Sequence, residues 1–351
     1  MQIEEVSVPG YEKVVRAVDS QSGLRAIIAV HDTTLGPALG GMRMWPYATQ
    51  DEAMTDVLRL SRGMTFKSAV AHTGLGGGKS VVIGDPSKLK SEALFLAMGR
   101  FVDSLGGTYV TAEDVNIGIG DLEIVRRSTR WVTGLSRERG GSGNPSPYTA
   151  YGVFLGLRAA CGRKFGTDDL RGRTVAVQGV GAVGSALVRR LVEAGAKVTI
   201  ADRDAARVEN LARELGVATS SVENIVGIEC DVFAPCALGA VINDRSIDGL
   251  RCKVIAGAAN NVLHEPRHGR ILFERGILYA PDYVINAGGI INVSVEFHQG
   301  GYDEAVALRR IERIPEALRQ VWSISADEKI PASDAADRLA ENILAEARAS
   351  R

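Results

Sequence analysis

The stretch Thr174-Val-Ala-Val-Gln178-Gly179-Val180-Gly181-Ala182-Val183-Gly184 constrains this chain more than any other. Its apolar, β-branched start reads as a buried strand. The G-x-G-x-x-G that follows leads into a helix over 185–194, and Lys197-Val-Thr-Ile-Ala201 reads as a second strand closed by Asp202. A lone glycine fingerprint says little. Strand, glycine turn, helix, strand and terminal acid, in that order, specify a parallel βαβ unit of the dinucleotide-binding kind. Gly179 permits the tight turn, Gly181 lets the backbone approach a pyrophosphate, and Gly184 lets helix and sheet pack closely. The helix N-terminus meets the pyrophosphate charge. The Asp202 carboxylate can accept hydrogen bonds from ribose hydroxyls and would repel a 2′-phosphate, which favours NAD over NADP. Arg203 beside it works against that preference, because a cation there suits a phosphate.

More α/β alternation follows. Cys230–Cys236 and Lys253–Gly257 read as further parallel strands, ending in Ala237-Leu-Gly239 and in Ala258-Ala-Asn260-Asn261. Tyr283-Val-Ile-Asn286-Ala-Gly-Gly289 reads as a third such strand end. Ligands bind at the carboxyl ends of such strands, so the asparagines are candidates for cofactor or substrate contacts. The amino-terminal third mixes short strands and helices. Leu24–Val30 is β-prone, and Thr49 with Glu52 forms a capping-box pattern opening a helix that leads to Lys67. The run Thr73-Gly-Leu-Gly-Gly-Gly-Lys79 reads as a glycine turn before a strand at 80–84. A helix near 90–105 and a strand Gly107–Ala112, ending at Glu113-Asp114, come next. Residues 136–148, rich in Gly, Ser and Pro, read as a linker before a helix over 149–162. The expected architecture is α/β in two domains with a cleft between them. Residues 1–135, joined by helices at 330–351, form a catalytic and oligomerisation domain, and 136–329 form a Rossmann domain.

Several other readings fail. Gly78-Lys79-Ser80 resembles the end of a P-loop, but position 73 is threonine where that motif needs glycine, and a strand follows where it needs a helix. His264-Glu265-Pro266-Arg267-His268 fits H-E-x-x-H, but Pro266 breaks the helix such a zinc site requires. Cys161, Cys230, Cys236 and Cys252 include no C-x-x-C pair and read as reduced thiols. A net charge of -1 gives no field to attract nucleic acid or a membrane. The acidic N-terminus lacks the apolar core of a signal peptide, so a cytoplasmic protein is expected.

A dinucleotide domain implies hydride transfer, and the other domain should then hold the substrate. Histidine is scarce there, with His31 and His72 alone in residues 1–135. Lys67, Lys79 and Asp114 remain. A buried lysine near a second cation can serve as a neutral base, while the second cation binds a carboxylate. Asp114 can hold an ammonium or pass protons. This chemistry suits a carboxylate substrate with an oxidisable carbon, whether hydroxy acid or amino acid.

The segments "LGPALGGMRMW", "GMTFKSA", "LGGGKSVVIGDP", "TAEDV", "SGNPSPYTAYGV", "VQGVGAVG", "APCALGA", "AGAANN" and "YAPDYVINAGG" run nearly end to end. Together they resemble the amino-acid dehydrogenases that oxidatively deaminate L-leucine, valine, phenylalanine or glutamate, and are nearest to the leucine dehydrogenases. The resemblance implies that Lys79 activates the water that attacks a substrate imine. It further implies that Lys67, beside the Gly41 backbone, binds the α-carboxylate, that Asp114 holds the amino group and relays protons, and that Asn260 contacts substrate and cofactor. The backbone of Val180, Ala182 and Val183, with Thr149, Cys236, Ala237 and Asn286, completes the implied NAD site. Glutamate-specific relatives place a lysine where Leu39 stands and a hydroxyl residue where Val293 stands. Here Leu39, Val293, Ala112 and Ile290 are all apolar, which points to leucine, valine or isoleucine. Phenylalanine or tryptophan is the alternative, and a non-catalytic dinucleotide sensor is the competing class. Ile290, Met42 and Tyr148 depart from the usual pattern. Relatives imply a homo-oligomer, from dimer to octamer.

Overall fold

Two six-stranded sheets organise the chain. The computed structural model describes residues 1–237, 239–297 and 300–350. Two compact units emerge: Met1–Asn144 with Val293–Asp303 and Ala340–Arg351, and Pro145–Asn292 with Glu304–Leu339.

The first unit holds strands β1 (Gln2–Glu5), β2 (Lys13–Asp19), β3 (Leu24–Asp32), β4 (Ala38–Trp45), β5 (Gly76–Ile83) and β6 (Tyr109–Ala112), in the order β1-β2-β3-β5-β4-β6. The β1, β2, β3 and β5 neighbours pair antiparallel, and β4 pairs parallel with both β5 and β6. Helix α1 (Gln50–Val70) lies on one face, and α2 (Pro86–Leu89), α3 (Glu92–Asp103) and α4 (Ile119–Arg126) complete the unit. Alternation along the strands divides the core. Ile27, Ala29 and Val81 pack with Ala53 and Val57 of α1. On the other face Met42, Met44 and Val82 pack with Leu94, Phe95 and Met98 of α3. Thr49 caps α1 by accepting the Glu52 N–H, while the Glu52 carboxylate reaches the Ala48 N–H, one residue short of a reciprocal box.

The glycine run before Lys79 is not a turn. Gly76, Gly77 and Gly78 are the first residues of β5, and the chain reverses earlier, where His72 and Gly74 have positive φ. Packing explains the glycines. Buried Ala53, Val57, Ser61, Thr65 and Ala69 recur along α1 and bring its backbone down onto the sheet. A Cβ on Gly77 would stand 2.0 Å from the Thr65 nitrogen, and one on Gly78 would stand 2.7 Å from the Tyr109 ring.

The second unit holds β7 (Thr174–Gln178), β8 (Lys197–Ala201), β9 (Ala218–Thr219), β10 (Cys230–Pro235), β11 (Cys252–Ile255) and β12 (Leu278–Tyr279). All pair parallel, in the order β12-β11-β10-β7-β8-β9. This is a doubly wound sheet whose direction of winding reverses between β7 and β10. Its helices are α5 (Ser146–Phe165), α6 (Ala182–Glu193), α7 (Ala205–Leu215), α8 (Pro266–Glu274), α9 (Asp282–Ile285), α10 (Gly288–Ser294), α11 (Glu304–Ile311) and α12 (Ile314–Glu328), followed by α13 (Ala332–Ala349), which runs on into the first unit. The segment 283–289, read as a strand end, is helical instead. Asp282 starts α9, and its carboxylate accepts the N–H groups of Tyr283 and Val262, which favours the turn over extension. Helix α6 begins at Ala182, directly on the glycine loop, three residues before the expected start. Pro266 is in the first turn of α8, where His268 Nε2 lies 3.0 Å from Asp244 Oδ1. Among the described residues no cluster of three metal-ligating side chains occurs, and no helix is long and apolar enough to cross a membrane.

Replacing Gly77 by alanine drives a methyl group into the backbone of α1, which no rotamer change relieves. The expected loss is about 1–3 kcal/mol, read as a lower urea midpoint; an unchanged midpoint would show that α1 does not rest on this strand.

Candidate active site

Strand register assembles the candidate residues of the first unit. Leu39 pairs with Gly77 of β5 and with Val110 of β6, Gly41 with Ala112, and Met42 with Ser80. Gly41 therefore lies level with Lys79 and Ala112 across three adjacent strands. Leu39, Gly41 and Arg43 share the face that carries Lys79, whereas Met42 points into the opposite core. Met42 thus bears on packing and not on the site.

Lys79 is 5% exposed, and its Nζ lies 3.0 Å from Asp114 Oδ2. Asp114 follows β6 on a segment that passes over Gly41. A Cβ on Gly41 would stand 2.5 Å from the Glu113 carbonyl oxygen and 2.7 Å from the Asp114 Cβ, so only glycine admits the crossing. Asn116, at φ 62°, ends that segment and donates its amide to the Met44 carbonyl at 3.0 Å. Burial by itself would push the Asp114 carboxyl up. The Lys79 and Arg43 cations outweigh it and hold the group below the ordinary aspartate value. Glu113 shifts the opposite way, raised by burial and by the charge of Asp114. Lys67 is half-buried in the last turn of α1, two residues past the Thr65 contact with β5. Leu39 and Val293 are buried and Ala112 is half-buried.

The second unit builds a separate cradle. Gly179 has φ +96°, and a Cβ there would meet the Ala237 nitrogen at 2.7 Å. One on Gly184 would meet the Gly179 carbonyl oxygen at 2.0 Å and the Cys236 Cβ at 3.3 Å. These two glycines lock the loop against the end of β10. Gly181 differs: its Cβ direction is open, with one Arg207 nitrogen at 4.0 Å. It is the N-cap of α6 and offers no side chain, so the N–H groups of Ala182, Val183 and Gly184 have no side-chain cap. A groove of about 610 Å³ runs beside it, lined by Val180, Gly181, Ser185 and Arg207 and also by the acidic Asp204 and Glu214. Open space at one glycine, uncapped helix donors and a nearby arginine fit the pyrophosphate of a dinucleotide.

Asp202 Oδ2 accepts the Val180 N–H at 2.7 Å, and Oδ1 accepts the Asp204 N–H at 3.0 Å. Burial opposes its ionisation, but these N–H groups and Arg207 hold its carboxyl below the ordinary value. Arg203 is exposed. Asn286 is 3% exposed and donates to Asn260 Oδ1 at 2.8 Å, which joins the two asparagines. Thr149 Oγ1 donates to the Pro145 carbonyl in the first turn of α5, and α10 packs there through Gly288 and Gly289. Ile290, on α10, is buried.

Residues 11–131 match the family described as Glu/Leu/Phe/Val dehydrogenase, dimerisation domain, and residues 140–209 and 200–351 match Glutamate/Leucine/Phenylalanine/Valine dehydrogenase. The chain belongs to this family. It is 53% identical over 341 residues to leucine dehydrogenase of Geobacillus stearothermophilus, covering 97% of this chain and 92% of the relative. It is 47% identical over 345 residues to valine dehydrogenase of Streptomyces albus, covering 97% and 94%. The structure of L-tryptophan dehydrogenase from Nostoc punctiforme matches with a TM-score of 0.85 at 41% identity, covering 97% of each chain. The protein is an amino-acid dehydrogenase, as the sequence motifs implied.

Three side chains of this dehydrogenase carry no motif signal in its sequence. Arg43 bonds Asp114 of the Lys79–Asp114 pair, and Asp56 and Tyr47 extend the network behind it. Strand alternation alone puts Arg43 on the face of Gly41, but nothing in the sequence relates position 56 on α1 to position 114.

The folded-state value of Asp114 lies below the unfolded one, so its ionisation stabilises the fold above about pH 3.9. That contribution fades as pH falls through the folded value. The stability difference between wild type and Asp114→Asn, from urea unfolding, is therefore expected to shrink as pH drops below about 4; a constant difference would contradict the ion pairing.

Proposed function

We propose that this protein catalyses the reversible, NAD-dependent oxidative deamination of an aliphatic branched-chain L-amino acid, namely leucine, valine or isoleucine. The products are the 2-oxo acid, ammonia and NADH. The observation that carries the reading is the buried Lys79–Asp114 pair, 3.0 Å apart, on a sheet face that also presents Leu39 and Ala112. We assign substrate binding and subunit contact to the first unit, whose residues 11–131 match a dimerisation domain, and the dinucleotide to the second.

In this reading the Lys67 ammonium and the Gly41 backbone take the substrate α-carboxylate. Asp114, ionised, takes the α-amino group. Bound NAD supplies the hydride acceptor for the substrate Cα–H bond. Lys79 removes a proton from the water that adds to the resulting imine, and a proton returned to nitrogen lets ammonia leave as the oxo acid forms. Asn260 contacts substrate and cofactor, joined to Asn286 behind it. Gly179, Val180, Gly181, Ala182, Val183 and Gly184 serve the pyrophosphate, with Thr149, Cys236 and Ala237 around them. Asp202 serves the ribose hydroxyls and disfavours a 2′-phosphate, which supports NAD over NADP even beside Arg203.

Side-chain preference follows from the apolar Leu39, Ala112 and Val293 of the first unit; Ile290, in the second, is apolar as well. A distal substrate carboxylate would be desolvated there without a partner, whereas an aliphatic chain gains about 0.8 kcal/mol per buried CH₂. The leucine and valine dehydrogenases at 53% and 47% identity support the aliphatic reading. An aromatic substrate is the second reading, favoured by the likeness to the tryptophan dehydrogenase structure.

A screen of the twenty amino acids with NAD and with NADP at alkaline pH tests this. NADH formation is expected with leucine, valine and isoleucine and not with glutamate; silence with every amino acid would favour a dinucleotide sensor. Lys79→Ala is expected to lower kcat at least 10²–10⁴-fold, roughly the contribution of a general base, while NADH binding measured by fluorescence persists.

A further inference from the structure

Arg43 emerges from β4 two residues past Gly41, on the face that carries Lys79. Its Nε donates to Asp114 Oδ2 at 2.9 Å, the same oxygen that Lys79 Nζ approaches at 3.0 Å. Its Nη1 donates to Asp56 Oδ2 at 3.0 Å. Asp56 is fixed in turn by the Tyr47 hydroxyl at 2.7 Å and by Arg59 at 3.0 Å. The chain Lys79–Asp114–Arg43–Asp56 alternates in charge, and its side chains are 6%, 22%, 21% and 17% exposed.

We propose that Arg43, anchored by Asp56 and Tyr47, is a positioning residue that keeps Asp114 charged and aimed while Lys79 gains and loses its proton. The inference rests on the reading of Lys79 and Asp114 given above. If Lys79 were the only cation on Asp114, each deprotonation of the lysine would leave a bare carboxylate in a largely dry site. That carboxylate would take up a proton or swing toward water. A guanidinium remains charged throughout the working pH range and grips in a fixed planar fork. With one edge on Asp114 and another on Asp56, it makes the geometry of Asp114 independent of the state of Lys79. Lysine at position 43 would supply charge but could not reproduce that two-sided hold.

Two further titratable groups couple to Asp114. Glu113 is adjacent in sequence, and its carboxyl is raised by burial and by Asp114. Tyr109 is fully buried and donates to the Gly40 carbonyl at 2.6 Å, so it stays protonated. Neither replaces the cation that Arg43 provides.

The test compares Arg43→Met, Arg43→Lys, Asp56→Asn and Lys79→Ala with wild type, using leucine and NAD. For Arg43→Met, kcat/KM is expected to fall roughly 10–100-fold, the scale known for losing a hydrogen-bonding partner behind a metal ligand. The acid limb of its pH profile should move upward, because Asp114 has lost a cation, while NADH binding is unchanged. Arg43→Lys should recover part of the rate, and Asp56→Asn should fall between wild type and Arg43→Met. An Arg43→Met enzyme with wild-type kcat/KM would overturn the proposal. So would a loss with an unshifted acid limb and no recovery in Arg43→Lys, which would mark a purely structural role. Should Arg43→Met fail to fold, Asp56→Asn decides by the same two readouts. Lys79→Ala separates the two readings: its retained turnover would remove the lysine mechanism itself, whereas an inactive Lys79→Ala beside a fully active Arg43→Met would remove the role of Arg43 alone.

Discussion

A lysine ammonium with 5% of its surface exposed requires a counter-charge within reach, and most of the first unit can be understood as supplying one. Asp114 reaches Lys79 because Gly41 lets the 113–114 segment cross directly over β4. Strand β4 lies tight against β5 because Gly40 faces Gly78, where a Cβ would stand 1.7 Å from the carbonyl oxygen. On the same face, α1 packs Ala53 and Val57 against Ile27, Ala29 and Val81. Each glycine is needed for backbone approach, and each approach shortens the path between two charges.

The second unit uses the same residue type for the opposite end. Gly179 and Gly184 are pressed against Ala237 and Cys236, while Gly181 faces open space above the start of α6. Two glycines fix the loop and the third leaves room for a ligand. Within one six-residue motif, steric contact thus distinguishes the positions that pack the loop from the one that stays open.

The doubly wound second unit is readable in the sequence because its signals are local. The β7 strand, the glycine order and Asp202 lie within thirty residues, and each has a fixed geometric meaning. The first unit was less readable. Its glycine run looks like a turn when taken alone, and only the neighbouring Thr65 and Tyr109 reveal an extended strand under close packing. The segment after Pro281 looked β-prone because Tyr283, Val284 and Ile285 are, yet the Asp282 carboxylate bonded to backbone N–H groups outweighs that propensity. The link from Arg43 to Asp56 joins strand to helix through tertiary contact, which no periodicity encodes. Lys67, Lys79 and Asp114 stand out through the scarcity of histidine and through resemblance, and the crossing over Gly41 sets Asp114 beside Lys79.

The double engagement of Asp202 has a practical bearing on attempts to redirect coenzyme choice. The carboxylate that would face the ribose also accepts the Val180 N–H at the crest of the glycine loop. Removing it to admit a phosphorylated ribose would orphan that amide and slacken the glycine loop itself. A redesigned position 202 would have to retain a short acceptor, as asparagine or serine does, and draw its phosphate-binding charge from a neighbouring side chain.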